Sequence, residues 1–456
     1  MDSDKGSRWP LVILAFDESY LLTDLPKRCN WTLFSELRRT LRGIVDQAIF
    51  TLFLSTAGRF HLFSPEIQSD PSRRVTDSDL HPLDPISEIG FDDLGFPAKK
   101  GTVSLDRVVE TDWISRLGRP LYVHFTYIFH EQLRTQALSR FGVYHDALAG
   151  NEGELFLFAK QKLLNGRSSL TNGDGPGSLA CLCARFALEF QADSISRDVA
   201  CIQVECHMRL CVGATTGFER LVTLAGSEPL LSEAASQLMR ESLANPVRHL
   251  ANHSDLNCID RGGRGELVAA LIIMQARDAA LGTSKRRLLS VSEFIQALLP
   301  KSSYEILQKS KPVSWREGED MSFTETFSEY AMWFNHVIRV EDTKMINSQS
   351  LWKFITRGAM ISCPHNQEGI DIVLPVCLKN ESISPDTVTA ILIQVKNSTN
   401  FEYRIDKTLF DGMDPVRRGL FSIGSRRRPV IRIVFALASG RLDRIPISAR
   451  PFSSAS

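Results

Sequence analysis

The sequence predicts an α/β protein with more than one domain. Its 456 residues exceed what a single hydrophobic core usually organises, and its 43% hydrophobic and 23% charged residues are typical of a globular chain. Apolar runs rich in β-branched residues near both ends predict strands, and the segment between them has helical character. We therefore predict an incomplete parallel-sheet part over residues 1–150, a helical region over 151–260 and a second α/β domain over 261–456.

The N-terminal part begins with a strand, a helix and a second strand. Residues 11–16 are apolar throughout, predict a buried strand and are followed by two carboxylates, Asp17 and Glu18. A helix is predicted from about residue 31 to 46, and the second strand covers 48–55. Together the three elements predict a parallel α/β unit.

The middle of the chain changes character several times. Residues 65–100 are rich in Asp, Pro and Ser and predict a loop, and a mostly helical stretch is predicted from about 109 to 250. This stretch holds closely spaced cysteines and a histidine: Cys181, Cys183, Cys201, Cys206, His207 and Cys211. Zinc knuckles favour Cys-x2-Cys pairs, which these spacings do not provide, so we favour buried thiols over zinc. A turn rich in Gly and Arg then opens an apolar helix that ends at Leu281.

Two apolar segments near the C-terminus predict neighbouring buried strands that nevertheless carry polar side chains. The first contains Asp371, and the second, over residues 390–397, contains Gln394 and Lys396. Because side chains alternate along a strand, Gln394 and Lys396 point to one face. Val395 between them is expected to pack into the core on the other face.

This pattern resembles the metal site of the PD-(D/E)xK, or restriction-endonuclease-like, nucleases. There, a strand aspartate and the first residue of an ExK or QxK pair hold a divalent cation. The resemblance implies that Asp371 and Gln394 bind Mg²⁺ and that the Lys396 ammonium lies near the attacking water or the scissile phosphate. Gln in place of Glu removes a negative charge, so we expect weaker metal affinity. The alternative is an aspartate at the edge of an ordinary sheet.

In such nucleases, a helix before the sheet often carries a glutamate that completes the metal site. Glu266, in the first turn of the predicted helix, fits this place, and Glu329 is the rival candidate. A carboxylate at a helix N-terminus is also favourable by itself, which is the alternative explanation for Glu266.

The N-terminal strand that ends in Asp17 and Glu18 resembles the Walker B element of P-loop ATPases. In that element the aspartate holds Mg²⁺ through water and the glutamate polarises the attacking water. Arg119 would be a phosphate-sensing arginine in this comparison. The sequence contains no Gly-Lys dipeptide, so the phosphate-binding signature is absent and ATP binding is not expected. We expect a truncated or decayed ATPase-like region, which an upstream phosphate loop would make active.

Together these features resemble the Crinkler-like proteins of fungi and oomycetes, which join a P-loop ATPase to a C-terminal restriction-endonuclease-fold nuclease. The resemblance implies a Mg²⁺-dependent nuclease that hydrolyses DNA, attached to a regulatory and inactive ATPase-like region. An alternative from a different class is a non-catalytic DNA- or protein-binding scaffold on a decayed nuclease fold.

The charge of the chain is balanced overall but uneven along its length. Formal net charge is +0, whereas residues 401–456 contain 11 Lys or Arg against 5 Asp or Glu. This basic segment includes Arg426, Arg427 and Arg428, which we expect to bind DNA phosphates beside the nuclease site. A solvated basic tail is the alternative.

Export and membrane signals are not recognised in the sequence. The longest apolar run, residues 267–274, is far too short to span a membrane, and the first residues lack the layout of a secretory signal. An odd number of cysteines, nine, favours reduced thiols. We therefore expect a cytoplasmic or nuclear protein without a membrane partner.

Overall fold

The computed structural model describes most of the chain between residues 10 and 437. The described residues are 10–24, 31–44, 47–54, 63, 91–122, 152–171, 173–190, 194–214, 221–241, 250–251, 263–312, 321–364, 367–397, 407–421 and 428–437. They form a mixed α/β fold, which confirms the predicted α/β class at this level.

The described elements are numbered here in chain order. The helices are α1 Leu33–Arg42, α2 Leu105–Val108, α3 Thr111–Ile114, α4 Glu152–Leu163, α5 Gly175–Arg185, α6 Ser194–Cys206, α7 Pro229–Glu241, α8 Gly263–Leu281, α9 Val291–Leu298, α10 Lys301–Leu307, α11 Phe323–Phe327, α12 Ser348–Thr356 and α13 Lys407–Gly412. The strands are β1 Val12–Phe16, β2 Ile49–Phe53, β3 Leu210–Ala214, β4 Leu221–Leu224, β5 Leu289–Ser290, β6 Tyr330–Met332, β7 His336–Arg339, β8 Ala359–Ser362, β9 Ile372–Leu378, β10 Val388–Lys396 and β11 Ile431–Ala436.

The chain divides into two compact units. The first combines residues 1–89 with 189–224, and the second combines 90–188 with 225–456. The predicted division at residues 150 and 260 into ATPase-like, helical and nuclease-like parts is not tested by this grouping and stays a prediction. In the described part of the chain, no helix is both long and apolar enough to cross a membrane.

The first unit contains the predicted strand, helix and strand. Strands β1 and β2 pair in parallel, and helix α1 connects them, which confirms the predicted unit with slightly shorter elements. The helix begins after Thr32, whose hydroxyl accepts a 3.0 Å hydrogen bond from the N–H of Ser35. Phe34 on α1 contacts the ring of Phe53 edge-on, with 4.9 Å between the ring centroids, so the helix covers that face of the sheet.

The prediction that the first strand is buried is wrong: Val12, Leu14 and Phe16 are only partly buried, and the two residues between them are exposed. Ile13 is 64% exposed, and its pairing partner Phe50 is 45% exposed. Both side chains lie on the face of the sheet opposite Phe53, because side chains alternate along each strand. The apolar run therefore predicted the strand correctly but not the coverage of its second face.

The predicted helical middle contains a β-hairpin that the sequence analysis missed. Strands β3 and β4 are antiparallel, and their register shifts between Cys211 and Gly213. The polar segment of residues 301–319, within the predicted C-terminal α/β domain, contains helix α10. Of the loop predicted over 65–100, only residues 91–100 lie within the described residues.

The second unit is organised around a seven-stranded mixed sheet. Its main strand order is β11-β10-β9-β6-β5, with β8 beside the start of β9 and β7 parallel to β8. Strands β9 and β10 are antiparallel, whereas β10 and β11 are parallel. Helices α8 and α12 both contact β10. The predicted helix ending at Leu281 is confirmed as α8.

The two C-terminal strands predicted as buried are confirmed. Every residue of β9 except the last is buried, as is β10 up to Gln394. Pro375 lies in the middle of β9, a position that normally weakens a central strand. Here β8 pairs with β9 up to Val373 and β6 pairs from Cys377, so Pro375 lies between the two partners on that side.

Candidate metal site at the end of strands β9 and β10

Asp371 lies where the chain enters β9, and both its backbone and its side chain are fixed. Its N–H donates to the carbonyl of Ile393 at 2.9 Å, and its carbonyl accepts from the N–H of Cys363 at 2.8 Å. The carboxylate turns towards β10, where Oδ2 accepts the N–H of Val395 at 2.6 Å. The sheet therefore holds this carboxylate at the C-terminal end of β10.

Gln394 and Lys396 are successive side chains on one face of β10, with Val395 on the other face between them. The register of β9 and β10, continued by one residue, places Asp371 opposite Gln394. Gln394 is only 5% exposed, whereas Val395 is half-buried. The expectation that Val395 packs into the core is therefore met only in part, and Gln394 is the more buried of the two residues.

Helix α8 brings Glu266 to the same end of the sheet. Its first turn packs so closely that a Cβ on Gly265 would lie 2.9 Å from Cβ of Asn397, directly after β10. The pKa of the Cys363 thiol is raised by burial, and further by the carboxylates of Asp371 and Glu266. Both carboxylates therefore lie near Cys363, and the four predicted site residues gather at one end of the sheet.

The surroundings of Asp371 work against an isolated negative charge. Burial raises the pKa of its carboxyl, while the N–H of Val395 and the ammonium of Lys396 oppose that rise. A carboxylate in such a place is stabilised by compensating positive charge. The ammonium of Lys396 supplies part of that charge, and a bound cation could supply more.

The Gln394 side chain gives a second reason to consider a cation. Its carbonyl oxygen Oε1 is buried and has no hydrogen-bond partner among the described residues. Leaving such a group unpaired costs roughly 1–3 kcal/mol. Mg²⁺ binds oxygen ligands, so the carboxylate of Asp371 and the carbonyl of Gln394 fit it by donor type, and Glu266 could add a second carboxylate.

The donor set is nevertheless poor in anionic groups. Within the described ranges, no three or more His, Cys, Asp or Glu side chains are grouped so that they could hold a metal ion. A site built from Asp371, Gln394 and Glu266 would contribute only two carboxylates.

Glu329, the rival to Glu266, lies at the opposite end of β9. Its backbone carbonyl accepts from the N–H of Lys379 at 2.9 Å, and its carboxylate accepts from the Asn380 amide at 3.3 Å. Because β9 is seven residues long, this position is about 20 Å from Asp371. Of the two glutamates, the structure brings only Glu266 close to Asp371.

The loop that leads into Asp371 is clamped by Arg418. Its guanidinium donates to the carbonyl of Gly412 at 2.6 Å and pairs with Glu368 at 3.2 Å. Gly369, at φ 86°, packs against this clamp, and an added Cβ would lie 2.8 Å from Nη2 of Arg418. Because the Arg418 guanidinium lies so close to the Cα of Gly369, there is no room for a side chain, and glycine is required here.

The site lies inside a region that matches a protein family. The family model described as Domain of unknown function (DUF8736) matches residues 173–411, just over half of the chain. The chain belongs to the DUF8736 family. No curated protein and no solved structure matches it. All four residues of the candidate metal site fall within the DUF8736 region, which carries no functional description.

The residues predicted to contact ATP lie outside the DUF8736 region. Asp17 and Glu18 follow β1 at the carboxyl end of the parallel pair, as predicted, and Oδ1 of Asp17 accepts the N–H of Glu18 at 2.9 Å. Both belong to the first unit, whereas Arg119 belongs to the second.

Arg119 is engaged in a buried ion pair. Its guanidinium bonds the carboxylate of Glu228 at distances from 2.5 to 3.1 Å, and the Glu228 side chain is 1% exposed. A role in phosphate binding would require this pair to open, and that role stays a prediction.

The basic run that was predicted to bind DNA is described only at its last residue. Arg426 and Arg427 lie outside the described residues. Arg428 donates to the backbone carbonyls of Pro385 and Val388, the latter at 2.6 Å, and its guanidinium covers the Phe421 ring. Burial lowers the pKa of Arg428. Arg428 therefore makes structural contacts within the DUF8736 protein, and these occupy the guanidinium that was predicted to bind DNA phosphates.

A buried polar network in the second unit was missed by the sequence analysis. The hydroxyl of Ser227 lies 2.8 Å from Nε2 of His336, and Nδ1 of His336 lies 2.8 Å from Oδ1 of Asn335. The Asn335 amide nitrogen donates to Glu233, so its oxygen faces the histidine. Arg357 donates to the Ser227 hydroxyl at 2.9 Å. No local signal identifies the network, because Ser227 is 109 residues from His336 and 130 residues from Arg357.

This network has the connectivity of a Ser-His-Asn nucleophilic triad but not its electrostatics. Burial and three arginine charges lower the pKa of His336 to about 3. A general base works best with a pKa near the operating pH, so His336 is a poor base at neutral pH. The network therefore links the chain at the start of α7 to the chain at the start of β7.

The predicted burial of the middle cysteines is confirmed for three of them, Cys181, Cys183 and Cys211, whereas Cys201 and Cys206 are partly exposed. Cys181 and Cys183 lie on helix α5, and both are buried. Burial raises the pKa of the Cys181 thiol, which keeps it in the neutral form. They therefore act as small core residues.

Proposed function

We propose that the second unit is a Mg²⁺-dependent nuclease of the restriction-endonuclease type that hydrolyses DNA phosphodiester bonds. The observation that carries the proposal is the buried, unpaired carbonyl of Gln394. It stands on the strand face that also bears Lys396 and opposite the carboxylate of Asp371. An apolar strand has no structural need for this combination, because each of these groups costs free energy when buried.

Each residue has a separate role in this proposal. Asp371 and Gln394 hold the metal ion through oxygen, and Glu266 completes or orients the metal site from α8. Bound Mg²⁺ would neutralise charge on the phosphate and make a water molecule nucleophilic. Lys396 places its ammonium beside the scissile phosphate, where it stabilises the developing negative charge.

The N-terminal part is proposed to be a regulatory, ATPase-like region that does not bind ATP. The parallel β1–β2 pair with Asp17 and Glu18 after the first strand supports an ATPase-like ancestry. The missing Gly-Lys signature supports the loss of nucleotide binding, because the lysine supplies a main contact to the β- and γ-phosphates.

A plasmid-nicking assay tests the nuclease proposal. We expect the wild-type chain to nick supercoiled DNA in Mg²⁺ but not in EDTA. Lys396→Met keeps the apolar stem, removes the charge and should slow nicking about 10²- to 10³-fold. The control Glu329→Gln changes a charge at the far end of β9 and should leave the rate within about twofold of wild type. Intact plasmid with the wild-type protein in Mg²⁺ would refute the proposal.

One observation favours the alternative of a non-catalytic binding scaffold. Oδ2 of Asp371 already accepts the N–H of Val395, so this carboxylate has a structural role without any metal. A scaffold would bind DNA equally well in Mg²⁺ and in EDTA and leave it intact. The same assay, combined with a gel-shift titration, separates the two functions.

A further inference from the structure

The second unit contains a surface cleft that none of the residues of the candidate metal site lines. Its volume is about 440 Å³, which is the size of a small-molecule pocket. The lining comes from three separate stretches of the chain: residues 106–111 around α2 and α3, Glu152 at the start of α4, and residues 285–288 before β5. The fold therefore brings distant parts of the sequence together to form this cleft.

Arg287 holds the walls of the cleft together, and its side chain is only 10% exposed. Its guanidinium donates to the backbone carbonyl of Val109 at 2.6 Å, to the hydroxyl of Thr111 at 3.0 Å and to the carboxylate of Glu152 at 2.5 Å. Its Cζ atom also lies 5.4 Å from the centroid of the Phe156 ring. The cleft is therefore preformed, which lowers the entropic cost of binding a ligand.

The charges that line the cleft cancel. Three lining residues are acidic and three are basic: Asp106, Glu110, Glu152, Lys285, Arg286 and Arg287. Arg286 pairs with Glu293 at 2.7 Å. Glu110 pairs with Arg107. Together with the ion pair of Arg287, these contacts engage four of the six charges. The net charge of the lining therefore favours neither an anionic nor a cationic ligand.

Two opposite charges of the lining remain available to a ligand. Neither the carboxylate of Asp106 nor the ammonium of Lys285 forms a hydrogen bond or an ion pair with another described residue. Burial would raise the pKa of the Glu152 carboxyl, but its hydrogen bonds with Thr111 and Arg287 lower it overall. The charge of Lys285 adds to this lowering, so its ammonium lies within electrostatic reach of the lining carboxylate.

We propose that this cleft binds a small zwitterion, a molecule with one ammonium and one carboxylate group such as a free amino acid or a dipeptide. The ammonium of the ligand pairs with Asp106, and its carboxylate pairs with Lys285. The side chains of Val109 and Leu288 in the lining contact the apolar part of such a molecule. A ligand with only one charge leaves either Asp106 or Lys285 unpaired and binds more weakly. This site is independent of the proposed nuclease function.

Ligand-observed NMR titrations of the full chain at neutral pH test the assignment with four probes. Leucine and glycyl-leucine are zwitterions, leucine amide keeps only the ammonium, and N-acetyl-leucine keeps only the carboxylate. We expect at least one zwitterion to bind with a dissociation constant of about 1 mM or lower. The singly charged probes should bind about fivefold more weakly, because each loses one partly exposed ion pair.

Two conservative variants test the two charges separately. Lys285→Met should remove the preference for the zwitterion over leucine amide, because the ligand carboxylate loses its partner. Asp106→Asn should remove the preference for the zwitterion over N-acetyl-leucine. Both side chains are exposed, so both variants should fold. The matched controls Lys309→Met and Asp411→Asn change exposed residues that do not line the cleft, and they should behave like the wild type.

Three results would overturn the proposal. The first is that no probe binds the wild type at concentrations up to about 10 mM. The second is that the singly charged probes bind as tightly as the zwitterions. The third is that a zwitterion binds but neither Lys285→Met nor Asp106→Asn changes its affinity, which would place the binding elsewhere on the protein.

Discussion

At the scale of single residues, Gln394 is where stability and function conflict most clearly. Ile391, Leu392 and Ile393 before it on β10 are apolar and fully buried, yet its amide oxygen is unpaired among the described residues. A residue selected only for folding would be apolar at this place, because an unsatisfied buried carbonyl costs free energy without a structural return.

Replacing Gln394 with Leu should therefore stabilise the protein while removing a metal ligand. We expect the free energy of unfolding to rise by about 1 kcal/mol, because leucine is similar in size to glutamine and removes the unsatisfied polar group. Urea denaturation monitored by circular dichroism gives this value, and Mn²⁺ titration in the presence of duplex should show weaker binding. A loss of more than about 1 kcal/mol would mean that the amide makes a structural bond.

Replacing Asp371 with Asn separates its structural role from its proposed metal role. The asparagine carbonyl can still accept the N–H of Val395, so the fold should be retained. Mg²⁺-dependent nicking should fall about 10²-fold or more, because the variant removes the charged ligand. Duplex affinity in EDTA should stay within about twofold of wild type. Equal losses of both properties would indicate a folding defect.

At the scale of elements, the strands that carry the site could be predicted from the sequence, and the burial within them could not. β9 and β10 are long apolar runs with β-branched residues, so local composition identified both. Val395 was expected to pack into the core, yet it is only half-buried and Gln394 is the more buried residue. This order of burial depends on packing at this end of β10, where α8 begins more than one hundred residues earlier in the chain.

The loop before β9 gives a test of how tightly Asp371 is positioned. Gly369→Ala should cost at least about 2 kcal/mol of unfolding free energy, because φ is 86° and the new Cβ would meet the Arg418 clamp. The matched control Gly282→Ala has φ 55° and nothing within 4 Å of its added Cβ, so a cost of about 1 kcal/mol is expected. Denaturant titration of both variants provides the comparison. Equal costs would show that the clamp does not hold this loop.

At the scale of the whole molecule, the second unit is pinned by polar groups that come from separate elements. Arg277 pairs with Glu233 at 2.7 Å, and Glu233 also accepts from Asn335, which is bonded to His336. The contacts of Glu233 could not be predicted from the sequence, because Arg277 is 44 residues away and Asn335 is 102 residues away. A buried network of this kind is sensitive to protonation.

The lowered pKa of His336 predicts acid sensitivity. Its pKa is about 3 in the folded protein and near 6.5 without burial, so the unfolded chain binds more protons between these two values. The free energy of unfolding should therefore decrease as the pH drops from about 6.5 towards 3. The folding constant should fall by up to about tenfold for each pH unit in this window. The causes are burial and the positive charges of Arg357, Arg185 and Arg277.

Urea titrations at pH 7, 6, 5 and 4 test this dependence. The control His336→Gln keeps a polar side chain but cannot titrate. Between pH 6 and 5, the slope of its unfolding free energy against pH should therefore correspond to about one bound proton fewer than in the wild type. Glu233 and Asp278, whose pKa values are lowered by buried arginines after opposing desolvation, add acid sensitivity to both proteins. Identical slopes for the wild type and the variant would contradict the assignment to His336.

Asp371 and Gln394 are proposed to hold a divalent cation together at the end of β10. Anomalous scattering from Mn²⁺, in crystals of the full chain with a short DNA duplex that carries phosphorothioate linkages, locates that ion directly. We predict one peak within about 2.5 Å of both the Asp371 carboxylate and the Gln394 carbonyl, with a phosphate oxygen as a further ligand. A bound duplex with no anomalous peak at these two side chains would contradict the account.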